Sequence, residues 1–226
     1  MSKKNIQIAI DGYAGCGKST FARNIASTLG FIYIPSGILY RLVTQRMIDA
    51  SISPSDVNEE NLKFLENLVF TNDSKIIDSV GETDINSLNT KEIRQNVALY
   101  AQNPLIREKI NAFIRASKKD YSSVVEGRDI GSVVLPNADL KYFLYGSIDY
   151  RIKCWENGQV EKYGSFDQNE RDSLYQDTIV RDKLDETREL DPLVCTSDAI
   201  KIDVEQLHGQ KLLEKALDDI SKILNE

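Results

Sequence analysis

The chain has 226 residues, 41% of them hydrophobic, enough for one α/β domain with a subdomain or for two small domains. Its formal net charge of −7 argues against a broad nucleic-acid or anionic-membrane surface, so arginines that meet an anionic ligand must gather locally. A single histidine, His208, argues against histidine-based triads and multi-histidine metal sites, and three scattered cysteines (Cys16, Cys154, Cys195) without metal spacing suit a reducing cytoplasm.

The residues from Met1 to Asn5 lead straight into an apolar run, so no signal peptide is expected, and no stretch approaches the ~20 apolar residues of a membrane span. Ile6 to Ile10 predicts a buried first strand, followed by a glycine-rich turn from Asp11 to Gly17. A helix is expected from about Lys18 to Leu29, stopped by Gly30, then a short strand from Phe31 to Ile34. Leu39, Leu42, Val43 and Met47 fall at helical spacing and predict a second helix from Ile38 to about Ala50.

Residues 51–89 are polar with short alternating runs at Asn67 to Phe70 and Lys75 to Ile77, which predicts an inserted, β-rich subdomain. Thr90 is a plausible helix N-cap with Glu92 in the first turn, and the helix should continue to about Ile114 with a break near Pro104. Strands are expected at Ser123 to Glu126, Leu140 to Tyr145 and Ala199 to Ile202. Between the last two lies a polar helical region from Ile148 to Leu184, loop-like from Gly158 to Gln168, and a final amphipathic helix spans Gly209 to Ile223. Strands alternating with helices imply a five-stranded parallel sheet with helices on both faces.

Gly12-Tyr13-Ala14-Gly15-Cys16-Gly17-Lys18-Ser19 matches G-x-x-x-x-G-K-[ST] in full, between a predicted strand and a predicted helix. Gly12, Gly15 and Gly17 let backbone N–H groups turn inward around phosphates, and the helix start at Ser19 and Thr20 adds its positive end. Lys18 can reach the β- and γ-phosphates and the Ser19 hydroxyl can ligate Mg²⁺. The pattern fits a P-loop NTPase fold that takes ATP and Mg²⁺. Cys16 is read as a small residue that fits the loop, with a lowered thiol pKa as the alternative. Ser117-Lys118-Lys119-Asp120 only faintly resembles a guanine-reading motif and is read as a solvated helix end, so a regulatory GTPase is disfavoured.

Three further segments are candidates for an anionic acceptor. Ser36-Gly37-Ile38-Leu39-Tyr40-Arg41 and Glu126-Gly127-Arg128-Asp129 each follow a strand, where open α/β sheets hold ligands. Arg128 suits a phosphate fork, Asp129 can accept from an exocyclic amine, and Glu126 could hold Mg²⁺ through water. Arg181, Asp185 and Arg188 fall at i, i+4 and i+7 and share one helical face. The bland alternatives are a surface arginine at Arg41, a structural ion pair at Arg128 and Asp129, and an exposed charged face at 181–188.

In this order behind a phosphate loop, these segments resemble bacterial-type cytidylate kinase, a P-loop nucleoside monophosphate kinase. The resemblance covers nearly the whole chain and includes Gly127-Arg128-Asp129-Ile130-Gly131-Ser132-Val133-Val134 and Pro192-Leu193. It implies a single kinase domain over 1–226, with the core at 1–60, 90–150 and 185–226, a monophosphate-binding insert at about 61–90 and a mobile lid at about 151–168. It also implies transfer of phosphate from Mg-ATP to CMP and dCMP, in a monomer of the cytoplasm that binds neither nucleic acid nor membrane.

By position, Lys18, Arg128, Arg181 and Arg151 would be catalytic, and Gly12, Gly15, Gly17, Lys18, Ser19 and Thr20 would hold ATP, with Ser19 and Glu126 at the metal. Arg41, Arg128 and Arg181 would hold the acceptor phosphate, Arg107, Arg188, Asp129 and Ser36 the base, and Asp185 the ribose, with Gly37 and Tyr40 alongside. The chain departs from the family pattern at Pro35, Ala98, Leu184 and Glu186. A kinase for UMP or another small phosphorylated acceptor, and a catalytically weak nucleotide-binding regulator, are the alternatives.

Overall fold

The computed structural model describes residues 5–70, 75–117, 121–163 and 167–224. In chain order the elements are β1 (Gln7–Gly12), α1 (Lys18–Leu29), β2 (Ile32–Pro35), α2 (Ser36–Asp49), β3 (Val69–Phe70), β4 (Lys75–Ile77), β5 (Glu82–Asp84), α3 (Lys91–Tyr100), α4 (Pro104–Ser117), β6 (Ser123–Glu126), β7 (Leu140–Tyr145), α5 (Ile148–Tyr163), α6 (Gln168–Thr187), β8 (Ile200–Asp203) and α7 (Gly209–Leu224). Two 3-10 segments (Glu60–Asn67, Ile85–Asn89) and a π turn (Ile130–Val134) join them. The chain divides into two compact units, Met1–Ile34 with Asp120–Glu226, and Pro35–Lys119. Among the described residues no helix is long and apolar enough to cross a membrane.

The first unit is built on a five-stranded parallel sheet in the order β2-β6-β1-β7-β8, flanked by helices. β1 is buried from Ile8 to Gly12, as a strand covered on both faces must be. From β1 the chain winds one way to β2, and from β6 the other way to β7 and β8. The carboxyl ends of β1 and β6 therefore open where the winding reverses, the usual place for a ligand crevice.

Phe21, Ala22, Ile25 and Ala26 of α1 pack with Leu212, Ala216 and Ile220 of α7 against Ile8, Ile10, Val124, Tyr142 and Leu144 of the sheet. Gly30 ends α1 in the left-handed conformation, with φ 69°. β1 runs two residues beyond its expected end because Asp11 and Gly12 still pair with Phe143 and Leu144. β8 is shifted one residue later than expected, ending at Asp203 opposite Tyr145.

The expected loop from Gly158 to Gln168 is shorter in the structure. α5 continues to Tyr163, and α6 already begins at Gln168 because Asp167 and Glu170 form a capping box. Residues 164–166 of that expected loop, and 118–120 of the expected helix end, lie outside the described residues.

In the second unit α2 begins at Ser36, two residues before its expected start, and buries Leu39, Leu42, Val43 and Met47. Thr90 caps α3 through Ile93 N–H at 3.2 Å, as read from sequence. The break near Pro104 is the start of α4, where Asn103 Oδ1 accepts from Leu105 and Ile106 N–H and proline takes the first helical position. The predicted β-rich stretch is a small antiparallel sheet, β3-β4-β5, within the same unit. Arg46 of α2 ties it down, donating to buried Asp78 at 2.9 Å and to Thr83 at 2.9 Å.

Candidate active site

The phosphate loop takes its shape from β1 and β7. Gly12 has φ 141°, and a Cβ there would fall 2.0 Å from Leu144 O, so no other residue fits the start of the turn. Gly15 and Gly17 are also left-handed, and both are exposed with Ser19 and Thr20. No side chain caps the start of α1 and no acidic residue lies in its first turn, so its first N–H groups are available to an anion.

Lys18 is only 5% exposed and donates to Tyr13 O at 2.6 Å. Burial, then repulsion from Arg128, lowers its pKa to about 7. Arg181 also contributes to that repulsion, so both arginines lie within electrostatic reach of the lysine. Cys16 is buried under the loop, and burial pushes its thiol pKa up. The expectation that it could be lowered is corrected: desolvation outweighs the nearby cations.

Ser19 Oγ donates to Glu126 Oε1 at 3.1 Å, at the carboxyl end of β6. Tyr33 of β2 meets the same pair, and burial followed by the Glu126 charge raises its phenol pKa. A hydroxyl and a carboxylate side by side are hard oxygen donors of the kind Mg²⁺ takes beside phosphates and waters, so this donor set fits that ion. Among the described residues no group of three or more His, Cys, Asp or Glu gathers as an all-protein metal site.

Asp185 is the centre of a charged cluster that joins α6 to the end of β6. Its Oδ2 accepts from Arg128 Nε at 2.8 Å and faces Arg181 Nε at 3.8 Å, while Oδ1 faces Arg188 Nη1 at 3.4 Å. Burial alone would raise its pKa, but the attraction of Arg128, Arg181 and Arg188 outweighs this and holds the carboxyl below its ordinary value. Arg188 caps the end of α6, donates to Asp191 O at 2.6 Å and reaches Asp129 at 3.3 Å. The residues at 181, 185 and 188 thus form an enclosed ion cluster with Arg128 and Asp129, in place of an exposed charged face.

In the second unit, buried Arg107 lies over the Tyr40 ring at 5.7 Å and donates to Ala101 O at 3.2 Å. Arg41 donates to Asn89 Oδ1 at 2.8 Å, and Ser36 is buried at the start of α2. Gly37 has open space where a Cβ would stand.

Two residues that support the first unit escaped the sequence reading. Asp11, buried just before the loop, accepts from Ile130 N–H at 2.9 Å and Gly131 N–H at 2.7 Å. It thereby fixes the π turn behind Arg128 and Asp129. Burial raises its pKa to about 6, against the lowering effect of those two bonds. Asp182 sits between Arg151 and the phosphate loop. Asp182 carried no local signal of its own: on α6 it looks like its charged neighbours, and only packing turns it to the loop.

The cytidylate kinase family model matches residues 8–222. The chain is 34% identical over 228 residues to the cytidylate kinase of Geobacillus sp. strain WCH70, covering 99% of this chain and 98% of that one. It is 39% identical over 215 residues to the cytidylate kinase of Clostridium perfringens strain SM101, covering 94% and 96%. With the cytidylate kinase of Bacillus subtilis strain 168 it shares 34% identity over 223 residues, covering 97% and 98%. Together with the phosphate loop at the end of β1, these matches establish that the chain is an enzyme of the cytidylate kinase family.

Proposed function

We propose that the protein transfers the γ-phosphoryl group of Mg-ATP in line to CMP or dCMP, giving ADP and CDP or dCDP. The observation that carries this reading is the gathering of Arg128, Arg181 and Arg188 around Asp185, with Arg128 and Arg181 close enough to Lys18 to disfavour its charge. Three cations held by one carboxylate are a site prepared for an anion opposite the triphosphate loop.

Gly12, Gly15, Gly17, Lys18, Ser19 and Thr20 hold the triphosphate in this reading. Mg²⁺, held by Ser19 and through water by Glu126, neutralises phosphate charge when bound. Arg41, Arg128 and Arg181 take the acceptor phosphate, Asp185 the ribose, and Arg188, Arg107, Asp129 and Ser36 the base, with Gly37 and Tyr40 beside it. Cytosine offers an amine donor where uracil offers a carbonyl, so a carboxylate at Asp129 favours the first, by ~1–3 kcal/mol for a well-placed contact.

The acceptor phosphate is already a nucleophile and needs no strong base. His208 is engaged elsewhere, with Val204 O at 3.0 Å and Tyr150 at 3.2 Å. Catalysis is then positioning and charge neutralisation by Lys18, Arg128, Arg181 and Arg151. The kinase works as one domain, with the insert at 61–90 and the lid at 151–168 excluding water, as a monomer in the cytoplasm. A coupled ADP-release assay across the common nucleoside monophosphates tests the reading. CMP and dCMP should be the best acceptors, and a preference for UMP, or ATP hydrolysis indifferent to every monophosphate, would overturn it.

A further inference from the structure

The phosphate loop is gripped from outside by α5 and α6. Asp182 Oδ1 accepts from Ala14 N–H at 3.0 Å, and Arg151 Nη1 donates to Ala14 O at 2.8 Å. The N–H and the C=O of one loop residue are therefore both taken, by two oppositely charged side chains that also pair with each other. Asp182 and Arg151 are buried, at 8% and 7% exposure. Arg151 is fixed further by Gly146 O at 3.1 Å, and its Cβ lies 3.3 Å from where a Cβ on Gly15 would stand, so the first turn of α5 is seated on the loop. One turn beyond Asp182, Glu186 accepts from Tyr13 O–H at 2.6 Å. Here the residue serves the loop, and the ring of the tyrosine it holds lies 5.3 Å beneath the Arg151 guanidinium.

We infer that Asp182 is a positioning residue for the donor subsite: through Ala14 and Arg151 it sets the phosphate loop in the conformation that receives the triphosphate. Two neighbours on α6 divide the labour. Arg181 turns to Asp185 and the acceptor cluster, whereas Asp182 turns to the loop. This rests on the reading of the loop as the ATP site. A buried ion pair that clamps a peptide at both ends holds it far better than solvent could, because neither partner can leave without stranding the other. The loop's remaining amides, which the ligand uses, are thereby held before the ligand arrives.

The test is calorimetric binding of a non-hydrolysable ATP analogue with Mg²⁺, and separately of CMP, to the full chain, with KM and kcat for both substrates alongside. Asp182→Asn should weaken the ATP analogue by about tenfold or more, the size of one lost charge-assisted hydrogen bond. CMP affinity should change less than about twofold. A lowered melting temperature with unchanged analogue affinity would make Asp182 structural only, and tighter analogue binding would make it a restraint on Arg151; either overturns the inference. Should Asp182→Asn fail to fold, Arg151→Lys keeps the charge but loses the fork, and the same selective loss is expected; unchanged ATP affinity there also overturns it. A wild-type chain that binds no ATP analogue would instead sink the donor-site reading.

Discussion

Asp185 accepts a 2.8 Å hydrogen bond from Arg128, although the two residues lie 57 positions apart in the chain. The aspartate also faces Arg181 and Arg188, so one carboxylate meets three guanidinium groups. Removing it strands Arg128, whose side chain is 16% exposed. Breaking a buried pair from one side typically costs ~3–5 kcal/mol.

The first prediction follows from that arrangement. Asp185→Asn should lower the melting temperature and cut kcat/KM for CMP by about a hundredfold, a loss of roughly 3 kcal/mol. Saturating CMP should restore part of the thermal stability, because the acceptor phosphate can replace the missing carboxylate. Thermal denaturation with and without CMP checks this. A variant as stable as the wild type would show that the arginines do not depend on Asp185.

The second prediction concerns pH. In the ligand-free enzyme Lys18 has its pKa lowered from 10.5 to about 7, first by burial and then by Arg128. The triphosphate requires the ammonium form. Binding above this pKa must therefore take up a proton, and affinity should fall by up to about tenfold per pH unit between pH 7 and pH 10.5. The stability term has the opposite sign. The fold favours the neutral amine, so this lysine's contribution to the stability of the ligand-free protein grows as pH rises through the same window. Calorimetry of an ATP analogue at about pH 8.5, in two buffers of different ionisation enthalpy, reports the proton uptake. Zero uptake there would rule the argument out.

The features legible in the sequence are those that depend on near neighbours. The stop at Gly30, the cap at Thr90 and the proline at the start of α4 each follow from a few adjacent residues, and the structure has them where expected, as it has β1 apart from its extension to Gly12. The phosphate loop was legible because its spacing is set by backbone geometry. Partner choice among the charges was not. On α6, Arg181, Asp182, Asp185 and Glu186 look alike as surface residues, and only tertiary packing sends Asp185 to Arg128 and Arg181, and Asp182 and Glu186 to the loop. The early start of α6 carried a local signal, Asp167 with Glu170, but the polar stretch around it masked the box. The thiol of Cys16 was ambiguous for a related reason: the cations beside it are visible in the sequence, and its burial is not.

The third prediction contrasts two glycines. Gly12→Ala would place a methyl group 2.0 Å from Leu144 O in a backbone conformation unsuited to alanine, and should cost more than ~3 kcal/mol. The chain should then fold poorly or not at all. Gly37→Ala meets open space at normal φ and should leave the melting temperature nearly unchanged. Activity lost by Gly37→Ala without loss of stability would then locate ligand approach at that residue. Thermal melts of both variants, paired with CMP kinetics for the second, separate the two cases. Equal destabilisation at both sites would contradict the geometry.

The fourth prediction tests base choice. Asp129 is 4% exposed, lies at the end of β6 and is held by Arg188 at 3.3 Å, which fixes the direction its carboxylate faces. A carboxylate offers only acceptors, suited to the cytosine amine and repelled by the uracil carbonyl. Asp129→Asn offers one acceptor and one donor, so it should accept either base. The ratio of kcat/KM for CMP over UMP should fall by about tenfold or more, chiefly through weaker use of CMP. The Arg188 contact would also lose its charge, so some general loss in rate is expected with both substrates, and the ratio is the informative quantity. If Asp129→Asn kept the wild-type ratio while losing overall activity, the carboxylate would be a partner for Arg188 alone and the reading of the base would have to move to Arg107 and Ser36.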